Sequence, residues 1–539
     1  MRNRESVSDS AEKSGLERST IVLKPGRLPV AVDQAEDALL SRCEKLRVFQ
    51  RGGQLVRVIS LPDQRKDRPL RRPRGSAQLE LLSSTALTEI LNRIAYWMRK
   101  SSGATVRVDC PPKIAAFYMS RTGSWRVPLL TGIISAPILR DDGSVLDEPG
   151  YDAATGLYLG SDEDWSRVPD QPTRSDAKAS LRVLLTPFSE FPFVSDADRS
   201  VHVACVLTAI QRRLLGACPI FGYSAPAQRS GKSMLAESVA IIAMEKPAPA
   251  TAISGEREEI RKMITSALCE GHSMINLDNV EHPLSSPDLA KAITQTEYQD
   301  RALGENRMLR LLTNVLWTAT GNNLTFRGDL SSRALLCRID ARVESPETRT
   351  FKIPQLVDFL KTNRKHLVAA ALTILRAYET AGRPRQDIKP WGGFNEWSAS
   401  IREPLIWLGL ADPCETRTVV LADDPEREES LSAVRALYKV FKDEEFTSKR
   451  IVDECGSRNS LKAAMLTAAA GHQKEIDSRS VGWWLRRVHD RILGGLRVEI
   501  SRKASGVARW RVVEAPGGQS GHGGQLPVAR DGIRRFPRS

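Results

Sequence analysis

The stretch SAPAQRSGKS, at residues 224–233, constrains the fold of this 539-residue chain more than any other feature. A short apolar run precedes it at 217–222, and residues 234–244 after it are apolar at helical spacing. A phosphate-binding P-loop needs a strand, then a loop that ends in Gly-Lys-Ser, then a helix. The N–H groups of the loop and the N-terminus of the helix hold anionic oxygens. The stretch therefore predicts a nucleotide site on an α/β core.

Individual residues of this loop have predicted roles. Lys232 is expected to reach the β and γ phosphates, and the Ser233 hydroxyl is expected to bind Mg²⁺, so ATP and Mg²⁺ are the predicted cofactors. The usual motif begins with glycine where this chain has Pro226, which lacks an N–H, so the loop entrance should differ. The alternative is a loop that contains Gly-Lys-Ser without binding phosphate. The residues predicted to contact the nucleotide are Ala227, Gln228, Arg229, Ser230, Gly231, Lys232, Ser233 and Met234.

A second candidate position is Asp278, which follows the mostly apolar residues 274–277. In a P-loop ATPase, an aspartate at the carboxyl end of a strand beside the loop holds Mg²⁺ through water, so Asp278 joins Ser233 as a predicted metal residue. Asn279 follows where a glutamate is more common, so the group that activates water is open. The alternative for Asp278 is an ordinary turn residue. Candidates for the water-activating group are Glu281, Glu258 and Glu259.

A hairpin and a buried strand are predicted next. Residues 299–303 and 308–312 are expected to pair across a turn at 304–307. The apolar strand after the hairpin ends at Asn322 and Asn323, either of which is predicted to face the γ-phosphate and orient the attacking water. The alternative is that the two asparagines only form a turn.

Two arginines beyond this strand, Arg333 and Arg338, are candidates for an inter-subunit role. An arginine that reaches a neighbouring subunit's nucleotide stabilises charge on the transferring phosphoryl group. The alternative is that each arginine makes a surface ion pair.

The segments SAPAQRSGKS, INLDN, DRALG, TATGNN and GDLSSR, in this order and spacing, resemble the AAA+ ATPase core of helicases encoded by phages and mobile elements. Those helicases group with superfamily 3 and MCM-like helicases. The resemblance covers residues 218–349, and residues 393–413 are also similar to this group. It implies a hexameric ring whose ATP sites lie between subunits. By that resemblance the Walker A residues are Lys232 and Ser233, Walker B is Asp278, sensor 1 is Asn322 or Asn323, the arginine finger is Arg333, and the hairpin turn 304–307, with Arg307, grips DNA in the central channel.

The expected architecture is α/β, with a P-loop AAA+ core between smaller regions. In the N-terminal region, Gly52-Gly53 predicts a hairpin and residues 87–100 predict an amphipathic helix. In the lid, residues 361–382 predict a helix that stops at Gly382. The predicted regions are a disordered N-terminus (1–18), an α+β accessory domain (19–194), the ATPase core (195–350), a helical lid (351–422), a charged linker (423–429), a winged helix (430–514) and a disordered basic tail (515–539).

The region 430–514 is predicted to be a winged helix because helical patterns at 431–443, 446–456 and 478–493 precede two strands within 496–513. One face of the third helix is apolar at Val481, Leu485, Val488 and Ile492. The outward residues predicted to contact a DNA major groove are Arg486, Arg487 and Arg491, with Arg502 and Lys503 of the wing near phosphates. The alternative is a protein-contact role.

The net charge predicts a polyanionic partner. It is +14 at pH 7, with a pI near 9.5, which favours nucleic acid over an anionic membrane. The alternative is that the positive charge reflects an organism whose proteins are generally basic and rich in arginine, and not a specific partner. Eight cysteines stand singly without zinc spacing, the N-terminus is polar rather than a signal peptide, and the most apolar window (201–221) is interrupted by charges. These patterns predict a cytoplasmic protein with no membrane partner.

The predicted function is an ATP-dependent DNA motor, specifically a ring-forming replicative helicase of a phage or integrated element. Its expected partners are DNA, further copies of the chain and a replication initiator or primase. One alternative is an AAA+ DNA-binding initiator or regulator that uses ATP as an assembly switch. Another is a primase-helicase, against which stands the lack of a recognisable polymerase carboxylate set in the first 195 residues. Unwinding of a forked duplex distinguishes these functions.

Overall fold

The computed structural model divides the chain into two compact units, Met1–Val420 and Leu421–Ser539. For Ala470, residues 502–504 and Val507, only the backbone is described. The described residues are 18–60, 77–101, 103–251, 257–301, 308–343, 345–346, 349–470, 475–504 and 507–515. Within them, no helix reaches the length and mean hydropathy that a membrane span requires.

The first part of the larger unit is an α+β layer with two small sheets. β1 pairs in parallel with β5, which continues antiparallel to β6, and β2, β3 and β4 form an antiparallel meander. The Gly52-Gly53 hairpin is confirmed, since both glycines have positive φ and join β2 to β3. The elements are β1 (Ser19–Leu23), α1 (Leu28–Leu40), α2 (Cys43–Leu46), β2 (Val48–Arg51), β3 (Gln54–Ser60), β4 (Ala77–Leu81), α3 (Ser84–Ile94), β5 (Ala95–Ser101), β6 (Ala104–Val108) and α4 (Pro112–Ser120).

The helix predicted over 87–100 is wrong in its second half. The helix ends at Ile94, and the chain continues as β5. Trp97 is buried and its indole N–H donates to the Leu91 carbonyl, while its backbone pairs with Ile21 of β1. Pairing with β1 therefore overrides the helical pattern, which was a purely local signal.

Short strands and a helix then lead into the core of the larger unit. They are β7 (Gly132–Ile134), β8 (Ile138–Leu139), β9 (Val145–Leu146), β10 (Gly150–Asp152), β11 (Leu157–Leu159) and α5 (Arg174–Leu185). Ala136, Val168 and Leu184 belong to the same buried hydrophobic cluster as the strands that follow. The boundary predicted at residue 194 therefore does not coincide with a break in the hydrophobic core.

A parallel sheet organises this core. Its described strands run in the order β13-β14-β17-β12-β18, and every neighbouring pair is parallel. All of β12 is buried, as expected for a strand covered on both faces. The elements are α6 (Asp196–Gln211), β12 (Ile220–Ala225), α7 (Lys232–Met244), β13 (Ala250–Thr251), α8 (Arg257–Glu270), β14 (Met274–Leu277), α9 (Pro287–Thr294), β15 (Glu297–Arg301), β16 (Met308–Leu312), β17 (Leu316–Asn322) and β18 (Ala334–Arg338).

Several sequence predictions for this core are confirmed. The strand at 274–277 is present, and β15 pairs antiparallel with β16 as the predicted hairpin. The turn at 304–307 lies outside the described residues. The strand predicted at 217–222 begins and ends three residues later, at Ile220 and Ala225.

Helices complete the larger unit. They are α10 (Leu356–Thr380), α11 (Asn395–Trp397), α12 (Glu403–Trp407) and α13 (Thr416–Ala422), the last of which continues two residues past the end of this unit. The predicted stop is confirmed, because α10 ends at Thr380 and Gly382 has φ of 77°. Trp397 is buried, and its indole N–H donates to Thr208 Oγ1 of α6 at 2.9 Å, so this region packs directly on the core that contains the parallel sheet.

The smaller unit contains helices followed by a β-hairpin. The hairpin of β20 and β21 is antiparallel, as predicted for a wing, while residues 505–506 lie outside the described part. Its elements are α14 (Pro425–Phe441), α15 (Ser448–Ser457), α16 (Asn459–Met465), α17 (Ser478–Val488), β19 (Ile492–Leu493), β20 (Leu496–Ala504) and β21 (Val507–Glu514).

Three sequence predictions for this unit need correction. The charged linker at 423–429 is instead the start of α14, where the Asp424 side chain caps the helix by accepting from the Glu426 N–H. An additional helix, α16, follows α15. The third predicted helix ends at Val488, because His489 has extended ψ, so Ile492 lies in β19 and is 60 % exposed instead of sharing the apolar face.

Candidate nucleotide site

The predicted P-loop joins β12 to α7 and has a strained backbone. Arg229 has φ of 56° and Gly231, the N-cap of α7, has φ of 96°, whereas Ser230 between them does not have positive φ. When left-handed and right-handed backbone conformations alternate in this way, successive N–H groups point into one concavity. A concavity of this kind binds anions favourably. A Cβ on residue 231 would lie 3.0 Å from the Phe191 ring, so this position requires glycine for both conformation and space. The loop thus fits a phosphate group.

Lys232 is the first residue of α7 and lies deep in this concavity. The residue is 8 % exposed, and its Nζ donates to Asn322 Oδ1 at the end of β17, at 2.7 Å. Burial lowers the pKa of the Lys232 ammonium, and the nearby Asp278 carboxylate opposes that shift. An anionic ligand at the loop would compensate the buried positive charge.

Of the two predicted asparagines, Asn322 is the one beside Lys232. Asn323 is exposed and has φ of 46°, and its backbone N–H donates to the Ala225 carbonyl at 3.1 Å. Asn323 therefore forms the turn after β17, which was the alternative interpretation, while Asn322 faces the site.

Asp278 lies at the end of β14, next to β17. Its Oδ1 accepts from Ser233 Oγ at 3.4 Å and from the buried hydroxyl of Thr320. The Thr320 oxygen also accepts the backbone N–H of Asn279 at 3.2 Å. Thr320 therefore fixes the carboxylate, a role that the sequence did not reveal because a threonine inside a strand has no distinctive pattern. Carboxylate and hydroxyl oxygens are ligands that Mg²⁺ prefers, so this pair fits the metal.

The glutamates proposed to activate water differ in their surroundings. The Glu281 carboxylate accepts from Asn279 Nδ2 at 3.1 Å, which ties it to the residue directly after Asp278. Glu258 and Glu259 instead pair on α8 with arginine and lysine neighbours, at 3.2 and 2.7 Å respectively. Glu281 is therefore the glutamate whose contacts link it to the site.

The candidate arginines lie at opposite edges of the sheet. Ala334 begins β18 opposite Ile220, the first residue of β12, so Arg333 lies at the edge away from Lys232. Since a parallel strand advances about 3.3 Å per residue, the six residues of β12 separate these edges by about 17 Å. Arg333 pairs with Asp329 at 2.8 Å. Within one chain, then, Arg333 does not complete the site that contains Lys232.

Arg338 forms an ion pair within its own chain. It forms a bidentate pair with the fully buried Asp198 of α6, with both side-chain N···O distances at 3.0 Å. The ion-pair interpretation therefore applies to Arg338, although the pair is buried and not on the surface.

A cavity of about 210 Å³ opens beside the P-loop. Its walls are mainly apolar and include the rings of Phe191 and Phe351. The Arg349 guanidinium lies 5.1 Å from the centre of the Phe351 ring and donates to the Glu190 carbonyl at 2.8 Å. The sequence did not indicate these residues because they precede α6 and α10 and belong to no local motif. The lining residues are Pro187, Glu190, Phe191, Arg229, Ser230, Gly231, Met234, Pro346, Arg349, Phe351, Ile353, Pro354 and Leu356.

The predicted DNA-contacting residues are only partly described. Arg307 lies outside the described residues, and Arg502 and Lys503 are described only as backbone of β20. Arg486 and Arg487 are exposed on α17, and Arg487 Nε lies 3.7 Å from Glu426 Oε1. The remaining predicted residue, Arg491, is exposed beyond the end of α17 and is not part of the helix.

Comparisons with known proteins give no close relative. No protein-family model matches the chain, and no curated protein matches its sequence.

Solved structures give distant likenesses. The apo C-terminal region of NrS-1 is 11 % identical with a TM-score of 0.35, covering 81 % of this chain and 94 % of that one. The active helicase Cch of SCCmec type IV is 12 % identical with a TM-score of 0.34, covering 87 % and 97 %. JCV helicase is 13 % identical with a TM-score of 0.20, covering 44 % and 74 %. These TM-scores do not decide the fold or activity of this chain, whose parallel α/β architecture rests on its own strand pairing.

Proposed function

We propose that this protein is an ATP-dependent DNA motor, a ring-forming helicase that hydrolyses Mg-ATP at the P-loop. The observation that carries the proposal is the set of contacts at the carboxyl edge of the parallel sheet. There, Lys232 contacts Asn322, and Ser233 contacts Asp278. These residues come from three separate segments, yet their side chains meet where a triphosphate and its metal require a cation, an amide, a hydroxyl and a carboxylate.

Each residue has a role in the proposed hydrolysis. Lys232 binds the β and γ phosphate oxygens and stabilises the charge that develops on them. The Ser233 hydroxyl and the Asp278 carboxylate would hold Mg²⁺. Mg²⁺ supplies neutralisation of the phosphate charge. Asn322 orients the attacking water, and we assign to Glu281 the removal of its proton.

We also propose that the cavity beside the P-loop holds the adenine base. It adjoins Gly231 and Met234 of the phosphate-binding segment, and its two phenylalanine rings offer faces on which a base can stack. The nucleotide would then extend from the base between Phe191 and Phe351 to the phosphates at Lys232.

DNA is the proposed substrate because the chain carries a net charge of +14 and its smaller unit combines helices and a β-hairpin with exposed arginines on α17. Further proposed DNA contacts are Arg307, Arg486, Arg487, Arg491, Arg502 and Lys503. Four further proposals follow from the family resemblance and the composition. They are the hexameric ring, the winged-helix assignment, the cytoplasmic location, and an initiator or primase partner.

The proposal predicts that single-stranded DNA stimulates ATP hydrolysis by the full chain at least severalfold. It also predicts that the solution mass with ATP equals a closed ring. A motor couples turnover to its track, whereas an assembly switch needs ATP only to bind. Steady-state hydrolysis with and without DNA, alongside light scattering, separates the two. Ring assembly with turnover that DNA leaves unchanged favours the switch.

A second prediction concerns Arg333, which cannot serve its own chain's site. Lys232→Ala and Arg333→Ala proteins should each be inactive, but a mixture should recover hydrolysis, because an intact Lys232 can then meet an intact Arg333 from its neighbour. With random mixing, about one interface in four is intact, which sets the expected recovery.

The control for this experiment is Arg257→Ala, which removes another arginine from an exposed ion pair, with Asp288 at 3.0 Å. That variant should keep its own activity. No recovery on mixing, or an active Arg333→Ala protein, would contradict the inter-subunit role.

A further inference from the structure

Trp483 stands apart from the other tryptophans of this chain. The sequence contains ten tryptophans, and Trp483 is 65 % exposed, whereas each of the others is buried or half-buried. A tryptophan side chain normally buries a large apolar area. An exposed indole in a well-packed unit therefore indicates a contact surface.

The position of Trp483 on α17 defines that surface. The inner face of the helix is filled by four side chains of the smaller unit's hydrophobic cluster, namely Val481, Trp484, Leu485 and Val488. On the outer face, Arg479, Trp483 and Arg486 are spaced at i, i+4 and i+7, so they form one stripe along the helix. We call these three residues the Arg-Trp stripe.

Both arginines of the stripe are available to a ligand. Within the described part of the chain, no ion pair of 4 Å or less involves Arg479 or Arg486, in contrast to Arg487, whose Nε lies 3.7 Å from Glu426. The carboxylates nearest in sequence make their hydrogen bonds and close contacts elsewhere, although Asp477 also attracts Arg479 electrostatically. Asp477 caps α17 by accepting from the Ser480 N–H, and Asp490 pairs with His489.

We propose that the Arg-Trp stripe binds single-stranded DNA, with an unpaired base stacked on Trp483 and the flanking phosphates held by Arg479 and Arg486. The two guanidinium groups fit a polyanion rather than an apolar protein face. Bases within a duplex are stacked on both sides, so only an unpaired base offers a free face to the indole. The inference extends the motor proposal but does not depend on ATP hydrolysis, since it requires DNA alone.

The primary experiment measures tryptophan fluorescence of the full chain without nucleotide. Adding oligo(dT) should quench part of the emission and protect it from iodide, because stacking covers the exposed indole. An abasic oligonucleotide of equal length, which keeps the phosphates but has no bases, should not quench. Trp483→Phe should remove the DNA-sensitive component, and Lys232→Ala should retain it, so failure of the ATPase proposal stays distinguishable.

Binding affinity provides the second measurement, by anisotropy of labelled oligo(dT). Trp483→Ala should weaken binding about tenfold, and Trp483→Phe should restore most of it, because base stacking on an aromatic ring contributes an effect of this size. Arg479→Gln and Arg486→Gln should each lower the slope of log affinity against log salt by about 0.7. Lys439→Gln, an exposed cation on α14, should leave the slope unchanged.

Unchanged melting temperatures of the Trp483 variants are expected, since the Trp483 side chain is 65 % exposed. Three results would overturn the proposal. In the first, quenching persists in Trp483→Phe. In the second, duplex or abasic DNA quenches as strongly as oligo(dT), which indicates groove or phosphate contact alone. In the third, saturating DNA leaves Trp483 accessible to iodide, which assigns the stripe to a protein partner.

Discussion

Lys232→Ala is expected to lower kcat/KM for ATP hydrolysis by at least about 100-fold, because loss of one preorganised group that stabilises transition-state charge typically has an effect of that size. The expectation rests on the burial of Lys232 and on its 2.7 Å contact with Asn322, which together hold the ammonium where phosphate oxygens would lie. Since burial lowers the pKa of this lysine, removing it should not destabilise the nucleotide-free fold. Steady-state kinetics and a melting curve of the same preparation test both statements.

The matched control is Lys262→Ala, which removes an exposed lysine that pairs with Glu259 at 2.7 Å on α8. Its rate should match that of the unmodified chain. A Lys232→Ala protein within about threefold of the unmodified rate would mean that the P-loop does not perform the chemistry.

Asp278→Asn is the second large effect expected. Asparagine keeps nearly the same shape and an acceptor oxygen for the hydroxyls of Ser233 and Thr320, but it removes the negative charge that would hold the proposed metal. Hydrolysis should fall by about 100-fold, and the Mg²⁺ concentration at half-maximal rate should rise by at least tenfold. A magnesium titration at fixed ATP measures both.

Asp196→Asn serves as the control because Asp196 is exposed on α6 and pairs with Arg199 at 2.7 Å. If Asp278→Asn hydrolyses ATP with an unshifted magnesium dependence, the carboxylate has only the structural role of a strand end. A lower melting temperature without a magnesium shift would lead to the same conclusion.

The sequence was sufficient to predict the position of side chains that lie at the ends of short local segments. Lys232 and Asp278 each end a recognisable apolar strand or loop, and the structure brings Ser233 within 3.4 Å of Asp278. The sequence left two asparagines open, and only the backbone turn at Asn323 distinguishes it from Asn322. Positions with a distinctive neighbour pattern were therefore predictable, while their relative orientation was not.

The missed residues share a physical cause, which is that their environment comes from distant parts of the chain. Thr320 matters only because β14 and β17 are neighbours, and Phe191 matters only because its ring fills the space beside Gly231. The same reason explains the errors. Trp97 lies in a stretch with a helical pattern, but in the structure it pairs with β1. Ile492 lies in a strand opposite Arg497 and not in the predicted helix.

The most direct measurement of the central claim is unwinding of a forked DNA duplex by the full chain with Mg-ATP. The proposed motor should separate the strands at a rate that depends on hydrolysis. Lys232→Ala, or a non-hydrolysable ATP analogue with the unmodified chain, should leave the duplex intact under conditions where DNA is still bound. Strand separation by Lys232→Ala equal to that of the unmodified chain would contradict the claim, as would ATP hydrolysis by the unmodified chain that never separates the fork.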